Sequence, residues 1–243
     1  MRLNRYLALC GLGSRRAVED RIRAGQVKIN GKVAGLASDV SEKDTVEVGG
    51  RVLKAPETHT YLILNKPAGY LCSRGDTHDR ETIYDLLSPE YQNLHYVGRL
   101  DKESRGLIFL TNDGALTAAL THPRYEVLRI YEARTETPLT TEEFSHLRRG
   151  IEVEPGAIYQ CAKVETIPGG CRLALREGKK REIRRMLAAL GHRVTDLYRT
   201  EFGGVELGAL PEGKVRPLSK EEVEMLRQAV PQAPNLAPTP ASW

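Results

Sequence analysis

The stretch Gly98-Arg99-Leu100-Asp101-Lys102-Glu103-Ser104-Arg105-Gly106-Leu107-Ile108-Phe109-Leu110-Thr111-Asn112-Asp113-Gly114 decides how this chain is read. It sets one carboxylate, Asp101, in a glycine-punctuated turn directly before an apolar strand. Arg99, Lys102 and Arg105 lie within four residues of it, and neighbouring cations favour the ionised carboxylate that a nucleophile or base needs. Taken alone, an acidic residue in a turn is more often solvated than functional. The segments on either side change that balance.

Upstream, Tyr61-Leu62-Ile63-Leu64 reads as a strand running into Asn65-Lys66-Pro67-Ala68-Gly69-Tyr70, with a polar loop around Gly75-Asp76 and a helix over 83–87 to follow. Downstream, a strand over 107–110 leads to a helix started by Asn112 and Asp113 and carrying Leu116 and Leu120. Residues 127–135 read as a strand containing Arg129 and Tyr131, and Thr140 caps a helix that ends near Gly150. Strands over 151–153, 162–166 and 172–175, a helix over 182–190 closed by Gly191, and a strand over 194–198 leading to Gly203-Gly204 complete this part. Because many strands follow one another without an intervening helix, the expected fold class is α+β, with a central, mostly antiparallel sheet.

The chain has 243 residues, enough for a small domain beside a larger one, each with a core. Residues 1–50 read as the small domain. Leu3, Tyr6 and Leu7 share one helical face, Gly11-Leu12-Gly13 ends that helix, and Ser14 caps a second one that runs through Val18 and Ile22 to Gly25. Short alternating runs around Val27 and Val46, with turns at Asn30-Gly31 and Gly49-Gly50, read as hairpins. Residues 51–60 read as a flexible linker, 61–230 as the catalytic domain, and the proline-rich 231–243 as a disordered tail.

Charged residues make up 28% of the chain and hydrophobic ones 40%, as in an ordinary globular protein. No apolar run approaches the roughly 18 residues of a membrane span, and the start lacks a signal-peptide core, so a cytoplasmic protein without membrane association is expected. The four cysteines are scattered and the six histidines show no ligand spacing, which makes a zinc site improbable and leaves Cys72 the one thiol to watch. The net charge is only +4, yet residues 1–36 carry a net +6 and residues 176–199 a net +5. Two basic clusters on an otherwise acidic body suggest a polyanion held at two places.

Within the first cluster, Arg15 and Arg16 open a helix whose free N–H groups suit phosphate, and Arg23 lies two turns on. The motifs Leu3-Asn4-Arg5-Tyr6-Leu7, Gly13-Ser14-Arg15-Arg16 and Ile22-Arg23-Ala24-Gly25-Gln26-Val27-Lys28-Ile29-Asn30-Gly31 resemble the alpha-L RNA-binding domain of ribosomal protein S-four and tyrosyl-tRNA synthetases. In the second cluster, Glu177-Gly178-Lys179-Lys180-Arg181-Glu182-Ile183-Arg184-Arg185-Met186, helical spacing is expected to gather Arg181, Arg184 and Arg185 for phosphates. Ile183, Met186, Leu187 and Leu190 would face inward. Together with the Asp101 stretch, Leu64-Asn65-Lys66-Pro67-Ala68-Gly69 and His122-Pro123, this segment resembles the RsuA/RluB branch of the pseudouridine synthases, over residues 1 to about 226.

The resemblance implies isomerisation of a uridine in folded ribosomal RNA: the base's bond to ribose breaks at nitrogen, the uracil rotates, and it rejoins through carbon 5. Asp101 then matches the essential aspartate, attacking either the anomeric carbon or carbon 6 of the base. Tyr131 matches the active-site tyrosine that stacks on the base and moves a proton. Arg184 matches the basic residue that pairs with the aspartate, and Ile183 and Leu107 fit the apolar wall around the uracil. Further candidate substrate contacts are Arg99, Leu100, Lys102, Ser104, Arg105, Arg181 and Arg185. Candidate RNA contacts are Arg5, Ser14, Arg15, Arg16, Arg23, Lys28, Asn30, Lys66, Lys179 and Lys180. The chain departs from the family at Arg129, where a lysine is usual two residues before the tyrosine.

The target nucleotide would have to be extruded from the RNA fold at a cost of a few kcal/mol, which binding at the two basic clusters can offset. The reaction is redox-neutral, so no cofactor or metal is expected. The partner is ribosomal RNA or a pre-ribosomal particle, engaged by a monomer, and the Ser14-Arg15-Arg16 start favours the large subunit. Two other readings compete. A non-catalytic RNA-binding ribosome-assembly factor would need no carboxylate near phosphate, and a phosphoryl-transfer or hydrolytic enzyme would need paired carboxylates or a His dyad, neither of which is evident.

Overall fold

The computed structural model describes residues 1–55, 58–75, 78 and 80–230, and the chain divides into two compact units, Met1–His59 and Thr60–Trp243. In the first, α1 (Leu3–Leu9) and α2 (Arg15–Arg23) precede β1 (Val27–Ile29), β2 (Lys32–Val33), β3 (Val46–Val48) and β4 (Arg51–Leu53), an antiparallel sheet in the order β2-β1-β3-β4. The i, i+4 pairs Leu3/Leu7 and Val18/Ile22 point one helical face each into a core shared with Val27, Val40 and Val46. Ser14 accepts a hydrogen bond from the Ala17 N–H and caps α2, a contribution of about 1 kcal/mol.

Three expectations need correction in this unit. Ser14 and Asn30, read as RNA contacts, are spent on the scaffold: Ser14 is the cap, and Asn30 takes the left-handed conformation of the β1–β2 turn (φ 50°) while its side chain bonds Asp44 and the Thr45 N–H. Residues 51–53, read as the start of a linker, pair with β3 instead, because the alternation continues past Gly49-Gly50 and Leu53 packs on the core. Pro56 and Glu57 of that linker, Asp76 of the expected polar loop, and the tail 231–243 lie outside the described residues.

The second unit is built on a nine-stranded sheet. Its elements are β5 (Tyr61–Lys66), β6 (His95–Val97), β7 (Arg105–Thr111), α3 (Gly114–Thr121), β8 (Arg129–Thr135), α4 (Thr141–Arg149), β9 (Ile151–Glu154), β10 (Ala157–Tyr159), β11 (Lys163–Ile167), β12 (Gly170–Leu175), α5 (Glu182–Ala189), β13 (Val194–Phe202), β14 (Val205–Glu206), β15 (Val215–Pro217) and α6 (Lys220–Gln228). The sheet order is β11-β12-β8-β13-β7-β5-β15, with β14 on β13 and β6 on β7, while β9 and β10 form a separate hairpin. Every pairing in the large sheet is antiparallel except β13 with β7. Residues 106–111 of β7 are all buried, and alternate side chains enter different cores. Leu107 and Phe109 join Ile63, Leu116 and Phe202, whereas Ile108 and Leu110 join Leu62, Leu64 and Ile83.

The segment read as a helix over 83–87 is a single 3-10 turn, Ile83–Leu86, capped by Thr82. The strands β6, β10, β14 and β15 and the helix α6 add to what the sequence led us to expect. No helix of the described residues is long and apolar enough to cross a membrane.

Candidate active site

Asp101 sits in the turn between β6 and β7, and three interactions fix that turn's backbone. The Ser104 N–H donates to the Asp101 carbonyl at 3.1 Å, and the Gly69 N–H donates to the Lys102 carbonyl at 2.8 Å. The third is Lys66, at the end of β5 and fully buried. Its ammonium donates to the carbonyls of Pro67 (3.0 Å), Asp101 (3.2 Å), Lys102 (3.2 Å) and Ser104 (2.6 Å). Burial pushes the Lys66 ammonium below its ordinary value. Lys66 therefore serves as an internal cation for the Asp101 turn, not as the RNA contact expected of it.

At the entry to β7, Gly106 adopts a φ of +110°, and a Cβ there would lie 2.3 Å from the Arg199 carbonyl oxygen. Only glycine lets β7 lie this close to β13. On that side the Arg199 Nε donates to the Leu107 carbonyl at 2.7 Å.

A pocket of about 260 Å³ opens beside the turn. Arg99, Leu100, Asp101 and Ser104 line it from the turn, Tyr131 from β8, Leu175 from β12, residues 178–183 from the approach to α5, and Leu197 from β13. Leu100, Leu175, Ile183 and Leu197 form a buried apolar wall, while Arg99, Lys179, Lys180 and Arg181 are exposed at its rim. Tyr131 is buried, lies across from Leu173 and Arg199 in the sheet, and its hydroxyl accepts from the Arg199 guanidinium at 3.4 Å. The Ser104 hydroxyl is buried without a partner.

Several expected site residues lie elsewhere or, like Arg181, are held otherwise than expected. Leu107 belongs to the core on the Phe202 side of β7, one strand position out of phase with a pocket-facing residue. Arg105 is held by Asp196 through two bonds of 2.7 Å and by Glu212 at 2.6 Å, and stacks over Tyr198, so its charge is already answered. Arg185 is tied to the β9–β10 hairpin, pairing with Glu154 and donating to the Tyr159 hydroxyl. Arg181 stands outside the α5 register in the left-handed conformation (φ 54°), so it does not share a helical face with Arg184; it pairs with Glu103 at 3.3 Å. Lys102 contributes its carbonyl to the turn while its exposed side chain lies outside the pocket lining.

Arg184 makes no ion pair with Asp101. One of its terminal nitrogens donates to the Val194 carbonyl at 3.2 Å, and it feels Asp101 and Glu103 only at longer range. Burial first, and Arg181 second, push its guanidinium below the ordinary value. Arg129 is a buried strut, donating to the carbonyls of Val127, Leu120 and Arg176 beneath Phe202. Burial also raises the Cys72 thiol, whose sulfur accepts from the Leu100 N–H, and Cys72 packs against the cores on either side of it.

The structure adds Leu175, Gly178, Glu182 and Leu197 to the pocket lining, and places the buried Arg199 beside Tyr131 outside it. The Glu182 carboxyl accepts from the Lys179 N–H, its other oxygen is buried without a partner, and burial raises it above the usual carboxylate range. In the first unit, Arg5, Arg15, Arg16 and Lys28 are exposed and form no ion pair among the described residues, whereas Arg23 pairs with Asp20 and Glu19.

A turn-borne carboxylate and a tyrosine lining one apolar pocket with a cationic rim suit a planar base still joined to its phosphates. Residues 60–189 match the family model described as RNA pseudouridylate synthase, and residues 1–46 match the model described as S4 domain. A protein of Aquifex aeolicus named an uncharacterized RNA pseudouridine synthase is 37% identical over 237 residues, covering 95% of each chain. The Bacillus subtilis protein named ribosomal large subunit pseudouridine synthase B is 34% identical, over 96% of this chain and 98% of its own. A crystal structure described as a pseudouridylate synthase superposes with a TM-score of 0.69 at 31% identity, over 93% of this chain and 99% of that one. The chain is thus an isomerase that converts uridine in RNA to pseudouridine. It belongs to the RNA pseudouridylate synthase family, in its RsuA/RluB branch, with an N-terminal S4 domain.

Proposed function

We propose that this chain isomerises a uridine of large-subunit ribosomal RNA, with Asp101 as the nucleophile, acting as a monomer in the cytoplasm on free RNA or on an assembling particle. The observation that carries the assignment of Asp101 is its position: of the two carboxylates that line the pocket, Asp101 and Glu182, it is the one borne on the turn that Lys66 pins, and Tyr131 lines the same pocket. The relative of Bacillus subtilis, named for the large subunit, supports the choice of substrate.

In this reading the uridine leaves its stack and enters the pocket, where Leu100, Leu175, Ile183 and Leu197 exclude water from the base. Arg99, Lys180 and Lys179 at the rim meet the flanking phosphates. Asp101 takes the glycosyl group or adds to the base, the freed uracil rotates, and carbon 5 bonds to the ribose. The proton on carbon 5 then leaves while nitrogen 1 gains one, so the reaction closes without a cofactor. Arg5, Arg15, Arg16 and Lys28 of the S4 unit supply a second hold on the phosphates.

The test is to incubate the protein with unmodified large- and small-subunit ribosomal RNA and to map pseudouridine by carbodiimide-blocked primer extension. A new stop at a large-subunit uridine is expected. Stops confined to small-subunit RNA would overturn the substrate assignment, and binding without any stop, on RNA or on pre-ribosomal particles, would favour a silent assembly factor.

A further inference from the structure

The buried Lys66 and Arg129 and the half-buried Arg105 beside the turn are saturated by the scaffold, whereas the half-buried Arg184 keeps an Nε without a partner. Lys66 donates to four carbonyls, Arg129 to three, and Arg105 to two carboxylates. Arg199 differs. It is 1% exposed, no carboxylate pairs with it among the described residues, and one terminal nitrogen is buried with no partner. Its Nε donates to the Leu107 carbonyl at 2.7 Å and its other terminal nitrogen to the Tyr131 hydroxyl at 3.4 Å. A charged side chain left this incompletely answered in the interior is costly to stability, which argues for a role beyond holding the sheet together.

The geometry points to that role. Arg199 lies across from Tyr131 on the neighbouring strand and donates to its hydroxyl without itself lining the pocket, whereas Tyr131 does line it. A phenol oxygen that accepts from a guanidinium has its own O–H and its remaining lone pair directed elsewhere. We propose that Arg199 is a positioning residue that holds the Tyr131 hydroxyl for proton removal from carbon 5 of the base. This rests on the functional reading above. In the step served, the C5–H bond of the rejoined base breaks and its electron pair forms the C5–C6 double bond. The Tyr131 hydroxyl accepts that proton as it passes its own to solvent, or a solvent molecule held by it accepts the proton directly, and nitrogen 1 takes up a proton from solvent in exchange. No oxidant or further reactant is needed.

Nothing in the sequence marks Arg199 for this task, since it falls in a strand ten residues beyond the basic helix. The register of β13 against β8 sets it across from Tyr131, while on the other side Gly106 lets β7 approach the Arg199 backbone.

The test is a double-mutant cycle of Arg199→Met and Tyr131→Phe, measured as single-turnover isomerisation of the RNA that the wild type modifies. Arg199→Met is expected to slow the reaction by roughly 100-fold, in the range of a lost acid–base function, with little change in RNA affinity. In the Tyr131→Phe background the same substitution is expected to cost less than about 3-fold, because its target is gone. With uridine deuterated at carbon 5, Arg199→Met should also show a larger isotope effect than wild type. Equal costs in both backgrounds with an unchanged isotope effect would overturn the proposal and leave Arg199 a strut. Arg199→Lys keeps the charge in a chain that folds more securely, and must recover part of the rate and of the isotope effect; a variant that is folded, binds RNA and runs at wild-type rate with methionine at 199 would equally refute it. Wild-type protein inactive on every RNA would instead defeat the functional reading.

Discussion

Replacing Lys66 by methionine tests the idea that a buried ammonium, rather than the turn's own residues, sets the position of Asp101. The substitution keeps the apolar stem and removes four donor contacts, to Pro67, Asp101, Lys102 and Ser104. Hydrogen bonds to a charged group contribute about 1.5–3 kcal/mol each in isolation. They share one ammonium, two of the four carbonyls keep a donor within the turn, and the variant no longer buries a charge. A net loss of about 2–4 kcal/mol follows, near the lower part of the range for breaking a buried ionic contact. For a unit of this size that lowers the urea midpoint by about 1 M with an unchanged slope. The catalytic effect is larger than the loss of folded protein, because a carboxylate displaced by about 1 Å costs on the order of 100-fold in rate. The assay is urea unfolding followed by tryptophan-independent circular dichroism, beside single-turnover isomerisation in buffer where the variant is fully folded. A Lys66→Met protein with both midpoint and rate close to wild type would refute the reasoning.

Three further outcomes are expected. Glu182→Gln keeps the acceptor for the Lys179 N–H but cannot ionise; because the native carboxyl titrates above its unfolded value, its contribution is full at acid pH and is lost as pH rises through the raised value. The variant's stability relative to wild type should therefore improve with rising pH in parallel thermal melts. Asp196→Asn breaks the two bonds to Arg105, and since Arg105 holds the Asp196 carboxyl below its ordinary value, the cost of about 1–2 kcal/mol at neutral pH should vanish as pH falls through that lowered value. Arg15→Glu with Arg16→Glu should weaken RNA binding and flatten its dependence on salt, while the single-turnover rate at saturating protein stays near wild type in a filter-binding and rate comparison.

Local signals carried most of the fold and the catalytic turn. Glycines at 98 and 106, the apolar run of β7 and the caps at Ser14, Asp113 and Thr140 all act over a few residues, so they can be read without knowing what packs where. The helix α6 carries an equally local signal, since Ser219 and Glu222 form a capping box. The three-residue strands β6, β10 and β15 are too short to show a period, and exist because a neighbour supplies the other half of each ladder.

Cations were where the sequence misled. Arg105 looks like a phosphate contact until Asp196 and Glu212 arrive from about 90 and 107 positions away. Lys66 looks like a surface residue until the Asp101 turn closes over it. Arg199 was counted only as part of a basic cluster, though its environment is wholly interior. A side chain's charge is visible in sequence, but the partner that cancels or uses it is set by long-range pairing, as β13 beside both β7 and β8 illustrates.

The most direct measurement is tritium release from RNA labelled at carbon 5 of uridine, comparing wild type with Asp101→Asn after both are shown to bind that RNA equally. Wild type is expected to release one equivalent per target site, and the variant none above blank. Release by Asp101→Asn at the wild-type rate would contradict the role of Asp101.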